Sequence, residues 1–195
     1  MKIMVKIGLL IGAGTVLSGC ITPQAYVDPA YRKATFESVK QSAAPIPVKL
    51  QIEFQRNGAP YPKAEKHLKP MVEQVLAKSG VLTPSEDPSV TYSFNVRVNN
   101  IADIEAAKAK GFKTGLTFGG SGTVVDDNYE IKCTYAGKTG KKRDVNYQHA
   151  IHTAIGNTKE RPQGLTPMKI NDAFTKVVED SVLNCLQNLQ LSGEI

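Results

Sequence analysis

Residues 48–54 read VKLQIEF, a strict alternation of apolar and polar side chains that decides the fold class. Successive side chains of a β-strand point to opposite faces of its sheet. The stretch therefore predicts a strand with one buried and one solvent-facing side. Asn57-Gly58 ends it, and a sheet built from such strands needs only one covering layer.

An amphipathic helix is predicted next. Apolar side chains recur between residues 68 and 76 at i, i+3, i+4, i+7 and i+8, the spacing of one helix face. They are Leu68, Met71, Val72, Val75 and Leu76. Gly80 stands where a helix C-cap belongs. Pro70 lies within the pattern, so the helix either is kinked or starts near this residue.

Three further strands and a second helix complete the pattern. Alternation over residues 90–98 predicts the second strand, and 123–135 and 144–154 give the third and fourth, joined by a turn at 137–140. Thr166 as N-cap and Pro167 at the first helical position predict where the last helix starts.

The predicted order β-α-β-β-β-α indicates an α+β two-layer sandwich, with about four strands and two helices on one face of the sheet. The opposite sheet face is then left polar. Its predicted members are Lys49, Gln51, Glu53, Thr91, Asn95 and Arg97.

The N-terminal residues have the parts of an export signal. Lys2 and Lys6 precede the apolar stretch 7–16, which is shorter than the roughly 20 residues of a membrane-spanning helix. Residues 17–20 then read Leu-Ser-Gly-Cys. This resembles the lipobox of bacterial lipoproteins, and the resemblance implies cleavage before Cys20 and lipidation of its thiol and new amine. Ile21, which is not Asp, favours the periplasmic side of the outer membrane over the inner membrane by similarity to enterobacterial sorting.

The signal divides the chain into three parts. We expect a signal peptide at residues 1–19, a lipidated tether at 20–46 and an α+β domain at 47–195. The tether segment carries Tyr26, Tyr31 and Phe36, which we expect to pack on the domain because a pure linker seldom carries three aromatics.

Two wider resemblances concern the domain. Its element order is similar to that of LptE-type lipoproteins and of auxiliary lipoproteins of envelope ABC transporters, which also place two helices on one sheet behind a lipobox. Residues 112–129, with the core GLTFGGSGTVVDDNY, look like a group of uncharacterised proteobacterial lipoproteins. The first resemblance implies an accessory role in envelope assembly or transport, whereas the second implies no particular activity.

Cys133 and Cys185 are the two cysteines besides Cys20. Cys133 shares a strand face with apolar residues, and Cys185 lies in the apolar stripe of the last helix, so both are predicted to point into one core. In an oxidising compartment such a pair favours a disulfide. The alternative is two inert buried thiols.

Two segments are candidate contact surfaces. A Gly-rich stretch presents Phe112, Leu116 and Phe118, and a turn carries four basic side chains. The basic residues are Lys138, Lys141, Lys142 and Arg143. The first segment either contacts a membrane or partner or is a strand connection whose aromatics fold inward. The second either binds lipopolysaccharide phosphates or anionic headgroups or is a solvated hairpin tip.

Catalytic and metal-binding patterns are weak. His149 and His152 are three apart on a predicted strand, so they face opposite sides and cannot share one metal. Asp126-Asp127-Asn128 lacks the rest of a calcium loop. No Ser/His/Asp or paired-carboxylate pattern suggests a hydrolase. We therefore predict no metal, no cofactor and no enzymatic activity.

The leading hypothesis is a non-enzymatic lipoprotein, held in the membrane through Cys20, that supports an envelope protein complex or binds lipopolysaccharide. The chain's net charge is +6, and losing Lys2 and Lys6 with the signal leaves +4, an excess that permits contact with anionic lipid. Nucleic acid is excluded as a partner outside the cytoplasm. The alternative is a small-ligand or metal binding lipoprotein.

Overall fold

The computed structural model describes residues 22–31, 34–103, 105, 108–109 and 122–195. The signal, Cys20 and the Gly-rich contact residues Phe112, Leu116 and Phe118 lie outside this part. Seven strands are described: β1 (Gln24–Val27), β2 (Ile46–Arg56), β3 (Ala59–Pro60), β4 (Leu82–Pro84), β5 (Ser93–Ile101), β6 (Thr123–Ala136) and β7 (Lys142–Ile155). The long helices are α1 (Pro62–Ser79) and α2 (Ile170–Leu191), and a 3-10 turn spans Phe36–Ser38.

The sheet is mixed, and α1 and α2 pack on one of its faces. Its order is β1-β7-β6-β5-β2-β3, with β4 also paired to β2. β2 runs parallel to β5 because α1 carries the chain across between them, and β5, β6 and β7 are antiparallel neighbours. The predicted two-layer α+β sandwich is confirmed, and the four predicted strands become seven through the short strands β1, β3 and β4.

The two faces of the sheet divide as the alternation predicts. Val48, Phe94 and Val96 are buried in the core between sheet and helices. The prediction of a polar outer face is confirmed for Lys49, Gln51, Glu53, Asn95 and Arg97, all exposed or half-buried within strands. Thr91 precedes β5 rather than belonging to it.

The helix starts differ from the prediction for local reasons. α2 begins at Ile170 rather than near Thr166, because Met168 exchanges two backbone hydrogen bonds of 2.9 Å with Ala25 and holds the chain extended. α1 begins at Pro62 and continues through Pro70. Pro70 is exposed, so water can satisfy the helix carbonyl that its missing N–H leaves free. The predicted C-cap at Gly80 is confirmed, since it adopts φ 65°.

The segment expected to be a tether is largely part of the domain. β1 pairs with β7 from Gln24 to Val27, and Ala25 is fully buried. Val39 joins the core, and Phe36 packs against it. The reason is that β7 would otherwise have an unpaired edge, and β1 pairs along it. The described structure therefore leaves a much shorter connection to Cys20 than residues 20–46.

Candidate functional site

The two ends of the sheet carry different side chains, and we call them the proximal and the distal end. The proximal end is where β2, β5 and β7 end and where β1 and β6 begin. Its pairings include Gln24 with Ala154, Thr123 with Ile155 and Ile101 with Asn128. The distal end is the β6–β7 turn at residues 137–141. The chain enters the described structure at the proximal end.

The basic turn forms the distal end. Lys138, Lys141, Lys142 and Arg143 are all exposed, and Gly140 supplies a positive φ of 75° for the turn. The neighbouring Asp144 pairs instead with Lys132 at 2.7 Å on the outer face of the sheet, and the hydrogen bonds from Lys132 and Thr134 lower the pKa of Asp144. The four basic side chains thus project at the opposite end of the sheet from Gln24, the first residue of β1.

Cys133 and Cys185 meet in the core. They form a disulfide with an S–S distance of 2.06 Å, and neither residue has exposed surface. The bond joins β6 to α2, so it ties the sheet to the helix layer. Its burial makes it a structural link rather than an exposed redox centre.

A buried polar cluster links β7 to α2 beside this core. His149 and Asp180 are both fully buried, and His149 Nε2 lies 3.4 Å from Asp180 Oδ2. The Ala150 backbone N–H donates to His149 Nδ1 at 2.9 Å. Nδ1 therefore carries no proton, and the assignment leaves Nε2–H to donate to the carboxylate.

Lys176 supplies the charge that balances Asp180. Its Nζ lies 3.0 Å from Asp180 Oδ1 and 2.7 Å from Glu179 Oε1. Burial raises the pKa of Asp180, but hydrogen bonds from His149 and Lys176 outweigh burial and hold the pKa below its ordinary value. The sequence pattern alone assigns no role to Asp180. Its spacing from Val177 and Asn184 places a carboxylate in the apolar stripe of α2, and a charged residue in such a stripe is the sequence feature that indicates a buried polar contact.

His152 lies on the opposite face of the sheet from His149, as their spacing on one strand predicts. Its Nδ1 is 2.7 Å from Asp126 Oδ1, and its Nε2 is 3.3 Å from Asp28 Oδ2. These contacts tie the residue after β1 to β6 across β7. Asp126, Asp127 and Asn128 all belong to β6 rather than to a calcium loop.

The outer sheet face holds a shallow cleft of about 310 Å³ over β5, β6 and β7. Its lining is rich in carboxamides and charged groups. The side chains are Gln55, Arg97, Asn99, Glu130, Lys132, Asn146 and Gln148. Several are already paired, since Arg97 Nε contacts Glu53 Oε2 at 2.9 Å and Asn99 donates to Glu130 at 3.2 Å. Such a surface offers both donors and acceptors to a polar ligand or partner.

Two features are absent from the described residues, a metal-binding group of side chains and a membrane-spanning helix. They contain no group of three His, Cys, Asp or Glu side chains arranged to hold a metal ion. Within the same residues, no helix is both long enough and apolar enough to cross a membrane.

Comparisons with known proteins give a distant structural likeness. No protein-family model matches the sequence. A search of curated proteins gave no significant match. Among solved structures, the chain is similar to a PelC variant dodecamer from Paraburkholderia phytofirmans, with a TM-score of 0.32 and 14% identity over 82% of this chain and 96% of that one. A TM-score this low is no basis for transferring a function.

Proposed function

We propose that this protein is a lipid-anchored envelope lipoprotein that acts as a non-enzymatic accessory or binding subunit of an envelope assembly or transport system. The observation that carries the proposal is the sequence Leu17-Ser18-Gly19-Cys20 behind a basic start and a short apolar stretch. Lipidation at Cys20 would anchor the chain on the periplasmic side of the outer membrane, given Ile21.

The position of β1 supports an anchor at this point. Only three residues separate Cys20 from Gln24, where the sheet begins. A domain so close to its acyl chains would be held at the membrane surface. One acyl chain binds membranes only marginally, whereas two or three hold a protein stably.

Lipidation can be tested with the cysteines as mutual controls. Cells expressing the wild type, the Cys20→Ser variant and the Cys133→Ala/Cys185→Ala double variant are labelled with radioactive palmitate. We expect label in the wild type and the double variant, membrane fractionation of both, and no label in Cys20→Ser. Label retained by Cys20→Ser would contradict the proposal.

The accessory role needs a partner surface, and two described features support one. The cleft on the polar outer face is open among the residues that the structure describes, and the basic turn projects at the distal end. We further propose that Phe112, Leu116 and Phe118, in the segment that joins β5 to β6, contact the membrane or a partner. Photo-crosslinking residues placed at Asn146 and Lys141 should capture an envelope protein in intact cells. Retention of every co-purifying protein by a Phe112→Ala/Leu116→Ala/Phe118→Ala variant would remove the loop from this proposal.

A second candidate, binding of a small polar ligand, is favoured by the cleft itself. Its paired amides and charges suit a neutral polar molecule such as a saccharide better than an apolar one. Native mass spectrometry of protein released from the envelope would detect a bound molecule. A Gln148→Leu/Asn146→Leu variant should lose that mass, while Gln187→Leu, on α2, should keep it. An unliganded mass for all three proteins would argue against this candidate.

A further inference from the structure

Three exposed apolar side chains gather at the proximal end of the domain. Tyr61, Ile101 and Ile170 are 38%, 37% and 46% exposed, and among the described residues Leu191 is the remaining large apolar side chain exposed to this degree. We call Tyr61, Ile101 and Ile170 the proximal patch. Single exposed apolar residues are ordinary on protein surfaces, but a group at one end marks a contact.

Local packing places each member of the patch at this end. Tyr61 immediately precedes α1, and its ring lies 6.4 Å from that of Phe54 in β2. Ile101 is the last residue of β5 and adjoins Ala102, which exchanges hydrogen bonds of 2.9 and 3.0 Å with the Asn57 side chain. The β2–β3 turn at Asn57 therefore brings Tyr61 and Ile101 to one corner.

Ile170 reaches the same end from the helix layer. It is the first residue of α2, one turn before Phe174. The Phe174 ring lies 6.1 Å from Phe54 in β2 and 5.6 Å from Tyr129 in β6, so the first turn of α2 packs over the proximal part of the sheet. Sheet and helix layers thus both present an apolar side chain here.

An anchor at Cys20 would attach the chain at the same end of the sheet as this patch, because the described chain enters the sheet there at Gln24. Cys20 precedes Gln24 by four residues, which span at most about 14 Å when fully extended. β1 and β2 are separated by four strand spacings in the sheet order, or roughly 19 Å. At the proximal end, β6 and β7 extend beyond Ile101 by the length of Thr123–Asp127. A flat membrane surface that touched both the start of β1 and the proximal patch would therefore be tilted relative to the strands.

The distal features cannot reach the same surface. β6 alone has 14 residues, so the basic turn lies roughly 45 Å from the proximal end. Leu191, 75% exposed, is at the far end of the 22-residue helix α2, about 30 Å from Ile170. It lines a groove with Ile46, the first residue of β2, which confirms its distal position.

We propose that the proximal patch rests in the headgroup region of the bilayer that holds Cys20, with the basic turn pointing away from that bilayer. This inference rests on the proposed lipid anchor and adds which end of the domain faces the bilayer. The Arg56 guanidinium lies 5.0 Å over the Tyr61 ring. An amphipathic ring beside a cation is the combination of side chains that favours a membrane–water interface.

The chain contains no tryptophan, which makes a clean test possible. Full-length lipidated variants Tyr61→Trp, Ile101→Trp, Ile170→Trp and Leu191→Trp are reconstituted in vesicles of phosphatidylethanolamine and phosphatidylglycerol, with and without brominated phosphatidylcholine. We expect brominated lipid to reduce the emission of the three patch variants at least twofold. Leu191→Trp, the matched apolar control at the distal end, should keep its emission.

The outcomes separate the anchor from its orientation. If the wild type fails to float with vesicles, the proposed lipid anchor fails and this inference falls with it. If the wild type floats but the patch variants are not quenched, or Leu191→Trp is quenched equally, only the orientation is wrong. A blue shift without quenching would indicate a protein partner or a second copy at the patch and would also overturn the proposal.

A second measurement needs no substitution. Amide hydrogen exchange of the wild type should slow at residues 57–61 and 100–103 when vesicles are added, and should stay unchanged at 138–141. The Cys20→Ser protein, which lacks the anchor, should show no change at either place. Slowing at 138–141 alone would show that the basic turn faces the bilayer instead.

Discussion

Removing the disulfide between β6 and α2 should cost this domain a large share of its stability. The bond closes a loop between positions 52 residues apart, Cys133 and Cys185. In the chain-entropy treatment, a loop of that length restricts the unfolded chain by about 4 kcal/mol at 25 °C. Both sulfurs are fully buried, so alanine at both positions also leaves unfilled space and adds to the loss.

The assay is chemical denaturation of Cys133→Ala/Cys185→Ala beside the parent protein, both in a Cys20→Ser background to keep them free of lipid. Far-UV circular dichroism reports unfolding of both layers. We expect the free energy of unfolding to fall by at least about 4 kcal/mol. For a domain of this size that corresponds to a Tm lower by about 8–16 °C.

Two results would refute the reasoning. A loss below about 1 kcal/mol would mean that the loop is already restricted in the unfolded chain. Two titratable thiols in protein purified from the periplasm and unfolded without reductant would show that the bond does not form there. Because the sulfurs are buried, dithiothreitol should reduce the native protein only as fast as the domain opens, and immediate reduction would contradict the described packing.

Three further predictions concern the buried cluster, a glycine and the core. Asp180→Asn should lower stability at pH 7 by roughly 1.5–3 kcal/mol, since it weakens charged hydrogen bonds to His149 and Lys176. Because the folded pKa of Asp180 is lowered, its contribution is complete above the unfolded pKa near 4 and is lost as the pH falls through the folded pKa. Denaturation curves should therefore converge for the two proteins in acid, and a constant gap down to pH 2 would exclude the charge as the cause. Gly122→Ala should reduce the Tm, because the added Cβ would lie 2.5 Å from backbone atoms of the 157–158 peptide. In the control Gly137→Ala, the added Cβ meets only a side-chain atom, at 3.8 Å. Equal Tm values for the two variants would refute the clash. Leu186→Ala, at a fully buried position on α2, should cost about 2–5 kcal/mol in the same denaturation assay, and a cost under 1 kcal/mol would indicate that the site collapses.

The long strands were predictable because each has one buried face. In such a strand apolar and polar residues alternate along the sequence, as they do at 48–54 and again at 94–98. The same period placed His149 and His152 on opposite faces. The structure confirms this, with one histidine fully buried and the other 27% exposed on its side chain.

The short strands and the helix start were not predictable in this way. β1 has four residues and β3 has two, too few to show a period. The start of α2 shifted because Met168 pairs with Ala25, 143 positions earlier in the chain, and local capping signals carry no information about such a partner.

By itself the sequence determined the fold class, the polar and apolar faces of the strands and the candidate export signal, because each is a local pattern along the chain. Only the tertiary structure decided which features share an end of the molecule. It placed β1 at the same end of the sheet as Tyr61, Ile101 and Ile170, and set the basic turn roughly 45 Å away. It also set Asp180 against His149. The physical reason is that strand order, crossover and helix docking join residues far apart in the chain, and these follow from the packing of the whole core.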